Sequence, residues 1–248
     1  MNELIEIDNF SMKIGSFKLK NINLQVYENE VFAILGKTGS GKTILLESIA
    51  GFYKGSEGNI KINKENVIDI PVQNRKIGFV YQDFGLFPHM NVFENIAYSL
   101  KIKKIDKKII IKNVNEISEI LSIKNILNQY PGTISGGEKQ RTALARSLVL
   151  KPKILLMDEP FSALDPTTKE KMYSEIIKIK KIFGCTIIFV THDFNEAKRI
   201  ADRIGIILDG ELKFIRKSDD LFKIYNDKKI NDFLGIREEN RSDKRISI

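Results

Sequence analysis

The run Val31-Phe32-Ala33-Ile34-Leu35-Gly36-Lys37-Thr38-Gly39-Ser40-Gly41-Lys42-Thr43 carries more structural information than any other part of this 248-residue chain. Its first five residues are continuously apolar, the pattern of a strand buried on both faces of a parallel sheet. A glycine-rich turn follows, and residues 42–51 read as a helix closed by Gly51. Strand, Gly-x-x-x-x-Gly-Lys-Thr loop and helix form the setting in which such a loop binds a polyphosphate. Glycines at 36, 39 and 41 allow positive φ and turn backbone N–H groups inward, and the helix N-terminus adds positive potential. Lys42 is expected to reach the β- and γ-phosphates and the Thr43 hydroxyl to coordinate Mg²⁺. The expected nucleotide-binding set is therefore Gly36, Lys37, Thr38, Gly39, Ser40, Gly41, Lys42 and Thr43. By itself the loop implies a nucleoside triphosphate and leaves open how its energy is used.

Outward from this run the chain alternates strands and helices. Residues 3–9 and 17–26 carry the alternating apolar positions of two antiparallel strands, while 77–80, 154–157, 186–190 and 204–208 are further buried-strand runs for a parallel core. Between the second and third core strands, residues 87–151 read as almost wholly helical. Asn91 with Glu94 has N-cap spacing, and 106–121 repeat isoleucine and leucine at helical intervals. The fold class expected is α/β, with a P-loop core, an antiparallel β subdomain and an inserted helical subdomain. The divisions are 1–86 with 152–217 for the core, 87–151 for the helices and 218–248 for a short helical tail. Asp209-Gly210 marks a hairpin turn, Ser218 starts a short helix, and the last dozen residues are charged and expected to fray.

Composition narrows the classes. The hydrophobic share is 42% and the charged share 29%, which suits one domain with a substantial core. Nothing approaches the roughly 20 consecutive apolar residues of a membrane helix. The N-terminus lacks the basic and apolar regions of a signal peptide, and the lone Cys185 excludes a disulfide framework, which fits a cytosolic compartment. The formal charge of +8 raises nucleic acid or an anionic membrane surface as partners. The densest basic run, Lys101, Lys103, Lys104, Lys107, Lys108 and Lys112, interleaves with isoleucines and reads as a solvated helix face.

Two acids, Asp158 and Glu159, end the strand run 154–157, at the edge where parallel sheets place ligand chemistry. Asp158 suits Mg²⁺ and Glu159 the polarisation of an attacking water. Asp165 before Pro166 is an N-cap and N1 pair. Ser135-x-x-Glu138 is a capping box that opens a helix over 136–150 and turns its positive end and two glycines outward. His192 follows the strand run 186–190, where it could bond a γ-phosphate.

The segment Ile134-Ser135-Gly136-Gly137-Glu138-Lys139-Gln140-Arg141 resembles the signature motif of ATP-binding cassette (ABC) ATPases. Tyr81-Gln82 looks like that family's Q-loop, Ser162-Ala163-Leu164-Asp165 its D-loop and Thr191-His192-Asp193 its switch histidine, in the family's order across nearly the whole chain. The resemblance implies ATP with Mg²⁺ as cofactor, catalytic Glu159, His192 and Gln82, and metal contacts from Thr43, Gln82 and Asp158. It further implies that Ser135, Gly136, Gly137 and Glu138 touch the ATP of a second copy in an ATP-sandwich dimer. Ile134 and Glu138 stand where Leu and Gln are commoner. Ile14-Gly15 stands where the family often has an aromatic and a glycine; Phe17 is the candidate for stacking on adenine, or equally a core strand residue. His89 is read as structural or interfacial.

The stretch from Gln82 to Ile96, with Leu86-Phe87-Pro88-His89, is similar to importer cassettes of the sulfate, molybdate, polyamine and iron group. The phosphate loop followed by Leu45-Leu46-Glu47 is similar to archaeal-type molybdate and tungstate cassettes. These likenesses imply a peripheral ATPase at the cytoplasmic face of the membrane, working with two permease subunits and an extracytoplasmic substrate-binding protein; many such cassettes carry a further β-rich regulatory domain, for which 248 residues are expected to leave no room, and no nucleic-acid partner is expected. Sulfate, phosphate, iron or polyamine are the alternative cargoes. A soluble ABC ATPase acting on nucleic acid or ribosomes is the alternative of another class.

Overall fold

A computed structural model of the chain describes residues 2–236. The chain opens with β1 (Glu3–Ile14) and β2 (Phe17–Tyr27), which pair antiparallel across a turn at Gly15. β3 (Val31–Leu35) is buried at every residue, and α1 (Lys42–Ala50) follows the glycine-rich loop and ends at Gly51, whose φ of 98° closes the helix in the left-handed region. Next come β4 (Glu57–Ile62), β5 (Glu65–Asn66) and β6 (Ile77–Val80). The helices α2 (Val92–Ile102), α3 (Lys107–Ile120) and α4 (Gly136–Leu148) pack on one another. The remaining elements are β7 (Ile154–Asp158), α5 (Pro166–Phe183), β8 (Thr186–Thr191), α6 (Phe194–Ile200), β9 (Arg203–Leu208), β10 (Glu211–Lys217) and α7 (Lys228–Leu234).

Two sheets result. One is antiparallel in the order β2-β1-β4-β5; the other runs β10-β9-β3-β8-β7-β6, parallel except for β10. Strand alternation divides the core. Phe32 and Ile34 of β3 face a cluster with Leu45, Leu46 and Ile49 of α1 and the inner face of the antiparallel sheet. Val31, Ala33 and Leu35 point the other way, into the cluster built by the remaining helices. Both faces of β3, β7 and β8 are thus covered, which is why these runs are continuously apolar. Among the described residues no helix is long and apolar enough to cross a membrane.

Two expectations need correction, and one hairpin is not anticipated by the sequence. The helix expected at Ser218 is a single 3-10 turn, Ser218–Asp220. Past it, the Asn231 side-chain amide accepts from the Tyr225 N–H and donates to the Tyr225 carbonyl, and the chain becomes helical only from Lys228. The signature helix stops at Leu148 instead of 150. The β4–β5 hairpin is absent from the sequence reading, because its six-residue strand holds only two apolar side chains, Ile60 and Ile62. The frayed end expected for the last dozen residues lies outside the described residues.

Arg75 is buried and ties α1 to the chain leaving β5. Its guanidinium donates to the carbonyls of Ile70 at 2.8 Å, Ser48 at 3.0 Å and Ile49 at 2.9 Å, the last two at the C-terminal end of α1. Burial pushes its pKa below the usual arginine range. Arg75→Met is expected to lower unfolding free energy by about 2 kcal/mol in urea denaturation, since three carbonyls lose the guanidinium donor, two of them in buried contacts.

Candidate nucleotide site

The phosphate loop leaves β3 with one strand on either side of it, β8 and β9. Two glycines answer to specific geometry. Gly41 has φ of 103° and an added Cβ would lie 2.6 Å from the Phe17 ring; at Gly36 it would meet the Ile207 carbonyl at 2.4 Å. Gly210 at the β9–β10 turn donates its N–H to the Ser40 carbonyl at 3.2 Å. Phe17, Lys37, Thr38, Gly39 and Ser40 line one cleft of about 440 Å³ together with Lys18, Lys20 and Asp209. Phe17 therefore lies beside the loop and is half-buried.

Lys42 starts α1 and is 4% exposed. Its ammonium donates to the Gly36 carbonyl at 2.9 Å and the Lys37 carbonyl at 3.1 Å, and Glu159 Oε1 lies 3.7 Å away. Burial holds its pKa below the usual lysine value, opposed by the negative charges of Glu159 and Asp158. The Thr43 hydroxyl donates to Asp158 Oδ1 at 3.0 Å. Burial raises the Asp158 carboxyl above its ordinary range; the Thr43 hydrogen bond acts against that shift and neighbouring Glu159 adds to it.

Asp158 and Glu159 occupy the carboxyl end of β7, as expected from the strand run. Glu159 has φ of 40°, a conformation uncommon outside glycine, and its N–H bonds the Val190 carbonyl of β8 at 3.1 Å. That backbone turn sends the carboxylate back between Lys42 and His192, whose Nδ1 is 3.1 Å from Glu159 Oε2. His192 is positioned from both sides. Before it, the Thr191 hydroxyl donates to the buried Glu196 carboxylate, which also pairs with Lys169 at 2.8 Å. After it, Asp193 caps α6 through the N–H groups of Asn195 and Glu196.

The residues present fit a triphosphate and its cation. Among the described residues the Ser40 hydroxyl is buried without a hydrogen-bond partner, and a Cβ built at Gly39 meets nothing within 4 Å. Among the described residues no three His, Cys, Asp or Glu side chains gather as a metal cage. A hydroxyl and a single carboxylate at Thr43 and Asp158 are the oxygen donors suited to Mg²⁺, which completes its shell with water and phosphate.

Other expected site residues lie elsewhere. Ser135 caps α4 in the expected box with Glu138, and hydrogen bonds from the Ser135 hydroxyl and N–H hold the Glu138 carboxyl below its usual range. Gly136 and Gly137 face Ala163, Leu164 and Thr168, the turn capped by Asp165 at the start of α5, and not the phosphate loop of their own chain. Gln82 is exposed beyond β6 and makes no side-chain hydrogen bond to Thr43, Asp158 or Glu159. Sequence reading missed Glu196, Lys169 and Arg146, which act through tertiary contacts; only the Asp193–Glu196 capping spacing gave a local signal for one of them.

A family model described as "ABC transporter" matches residues 19–162. The chain is 44% identical over 232 residues to a molybdate/tungstate import ATP-binding protein of Pyrococcus horikoshii, spanning 94% of this chain and 67% of that protein. It is 40% identical over 236 residues to a sulfate/thiosulfate import ATP-binding protein of Bacillus cereus, spanning 93% and 66%. Among solved structures, an ATP-binding cassette in a dimeric post-hydrolysis state bound to ADP and Pi is similar with a TM-score of 0.77 at 33% identity, over 87% of this chain and 99% of that one.

Proposed function

This chain belongs to the ABC transporter family, and on that premise we propose that it is the ATP-hydrolysing subunit of an importer that drives uptake of an oxyanion, molybdate or tungstate. The observation that carries the enzymatic reading is the convergence of Lys42, Glu159 and His192 beside the Thr43–Asp158 pair. The cargo reading rests on the 44% identity to a molybdate/tungstate import protein.

The glycine loop and Lys42 bind the triphosphate, the lysine as a buried point charge on its terminal phosphates. Phe17 stacks on the adenine. Glu159 takes a proton from the attacking water as oxygen adds to the γ-phosphorus and the bond to the ADP oxygen breaks. His192 holds the Glu159 carboxylate in place and donates toward the γ-phosphate. Thr43 and Asp158 would hold a Mg²⁺, with Gln82 joining them only once its exposed segment comes nearer, and the cation would supply neutralisation of the charge developing on the phosphates.

A second copy completes each site. The positive end of α4, with Ser135, Gly136, Gly137 and Glu138, faces the partner's ATP, because in its own chain it has no phosphate loop before it. In this reading 1–86 with 152–217 form the catalytic core, 87–151 the subdomain that meets one of two permease subunits, and 218–248 a short tail. The pair sits peripherally on the cytoplasmic face of the membrane, and an extracytoplasmic binding protein delivers the oxyanion.

Reconstitution with the cognate permease and binding protein in vesicles tests the cargo. ATP hydrolysis is expected to rise severalfold with molybdate- or tungstate-loaded binding protein. Stimulation by sulfate or a polyamine with no response to molybdate and tungstate would show the cargo to be another solute.

A further inference from the structure

The geometry points to Arg146 as the positioning residue for Gln82. Residues 81–91 form no helix or strand; local turns satisfy the Phe84 N–H on the Tyr81 carbonyl and the Gly85 N–H on Asp83 Oδ1, but the carbonyls of Phe84 and Gly85 take their donors from another element. Two side chains brace this segment. Buried Asn95 of α2 accepts from the Phe87 N–H at 2.9 Å and donates to the carbonyls of Phe87, Met90 and Asn91 at 3.1, 2.9 and 3.0 Å. Arg146, in the last turn of α4, holds the other half. Its Nη1 donates to the Gly85 carbonyl at 2.6 Å and its Nη2 to the Phe84 carbonyl at 2.9 Å, while the guanidinium lies 5.3 Å from the centre of the Phe87 ring.

The backbone that this fork grips is unfavourable by itself. Phe84 has φ of 65° and Gly85 of 56°, and a bulky residue seldom enters the left-handed region unaided. Arg146 forms no ion pair among the described residues; its donors go to carbonyls and its face to an aromatic ring. A planar guanidinium holds two acceptors in one rigid fork geometry, whereas a lysine ammonium on its flexible stem can bond two carbonyls without fixing their orientation.

The neighbouring residue closes the bracket. Ser147 Oγ donates to the carbonyl of Phe79 in β6 at 2.7 Å. Gln82 therefore sits between two backbone points, Phe79 and Phe84–Gly85, both tied to consecutive residues at one end of α4. The other end of that helix is Ser135. Thirteen residues at about 1.5 Å each make a rod of roughly 20 Å, so displacement of the Ser135 end carries Gln82 with it. This inference rests on the ATPase reading above for its kinetic consequence, but the clasp itself does not.

The test uses the full chain with Arg146→Ala, and Arg146→Lys as the variant that keeps charge without the fork. Arg146→Ala is expected to lower kcat about tenfold with the KM for ATP changed by less than about twofold, the mark of misplacement without loss of binding. In a Gln82→Ala background the same substitution is expected to lower kcat by less than about twofold, because the residue through which it acts is gone. Arg146→Lys should fall between wild type and Arg146→Ala. Hydrogen exchange on nucleotide-free protein should show residues 81–87 opening faster in both variants, with β3 and β7 unchanged. A full tenfold loss repeated in the Gln82→Ala background, unchanged exchange over 81–87, or equal loosening of β3 and β7 would each overturn the assignment. Absence of ATP hydrolysis in the unaltered chain would instead refute the ATPase reading, and the exchange comparison would still decide the clasp.

Discussion

Replacing Glu159 by glutamine is expected to abolish turnover while leaving nucleotide binding intact. The carboxylate is 16% exposed and lies between the Lys42 ammonium and the His192 ring. Glutamine preserves its size and reach, but its amide cannot accept the proton that an attacking water must lose. Positioned general bases contribute about 10²–10⁴-fold to rate, so phosphate release should fall by at least about a hundredfold. Binding should hold or tighten, since one negative charge facing the γ-phosphate is removed. With hydrolysis blocked, the variant with ATP should elute as a dimer in size-exclusion chromatography. Phosphate release near the wild-type rate would reassign the water-polarising role to another group, Asp158 being the nearest carboxylate in the sequence.

Lys42→Ala should act at the preceding step. The ammonium is buried and already desolvated, so a phosphate meets it without much of the screening that weakens surface charges. Without it, Asp158 and Glu159 face the triphosphate uncompensated. ATP affinity is expected to fall by about a hundredfold or more, the scale of a lost buried charge pair. Thermal shift measures this directly. A ligand at about 100 times its Kd stabilises a fold by about 2.7 kcal/mol, so wild type should melt higher with ATP, and Lys42→Ala should show no such gain at the same concentration. A variant that binds ATP with wild-type affinity yet fails to hydrolyse it would move Lys42 from binding to chemistry alone.

Much of this site could be read from the chain because its residues stand in local patterns. Lys42 and Thr43 close a loop between a buried strand and a helix, Asp158 and Glu159 end an apolar run, and Ser135 and Glu138 form a capping box; each signal fits within about a dozen neighbouring residues. The order of the strands could not be read in that way. β8 inserts between β3 and β7, and β9 takes the other flank, a choice made by side-chain packing over the whole sheet. Arg75 and Arg146 escaped for a related reason. Each spends its guanidinium on backbone carbonyls brought near by folding, and an isolated arginine carries no local sign of such partners. Gln82 was legible as a candidate, yet its support comes from residues more than sixty positions downstream.

The placement of β3 also bears on how the chain is made. Val31 pairs with Ile187 and Phe32 with Arg203, so the strand that launches the phosphate loop meets neither neighbour until most of the polypeptide has left the ribosome. During synthesis this five-residue apolar segment has no sheet to join, and contacts of such long sequence separation form slowly. The nucleotide site is therefore among the last features to assemble, and its strand is exposed meanwhile to the mispairing and aggregation that chaperones restrain in nascent chains.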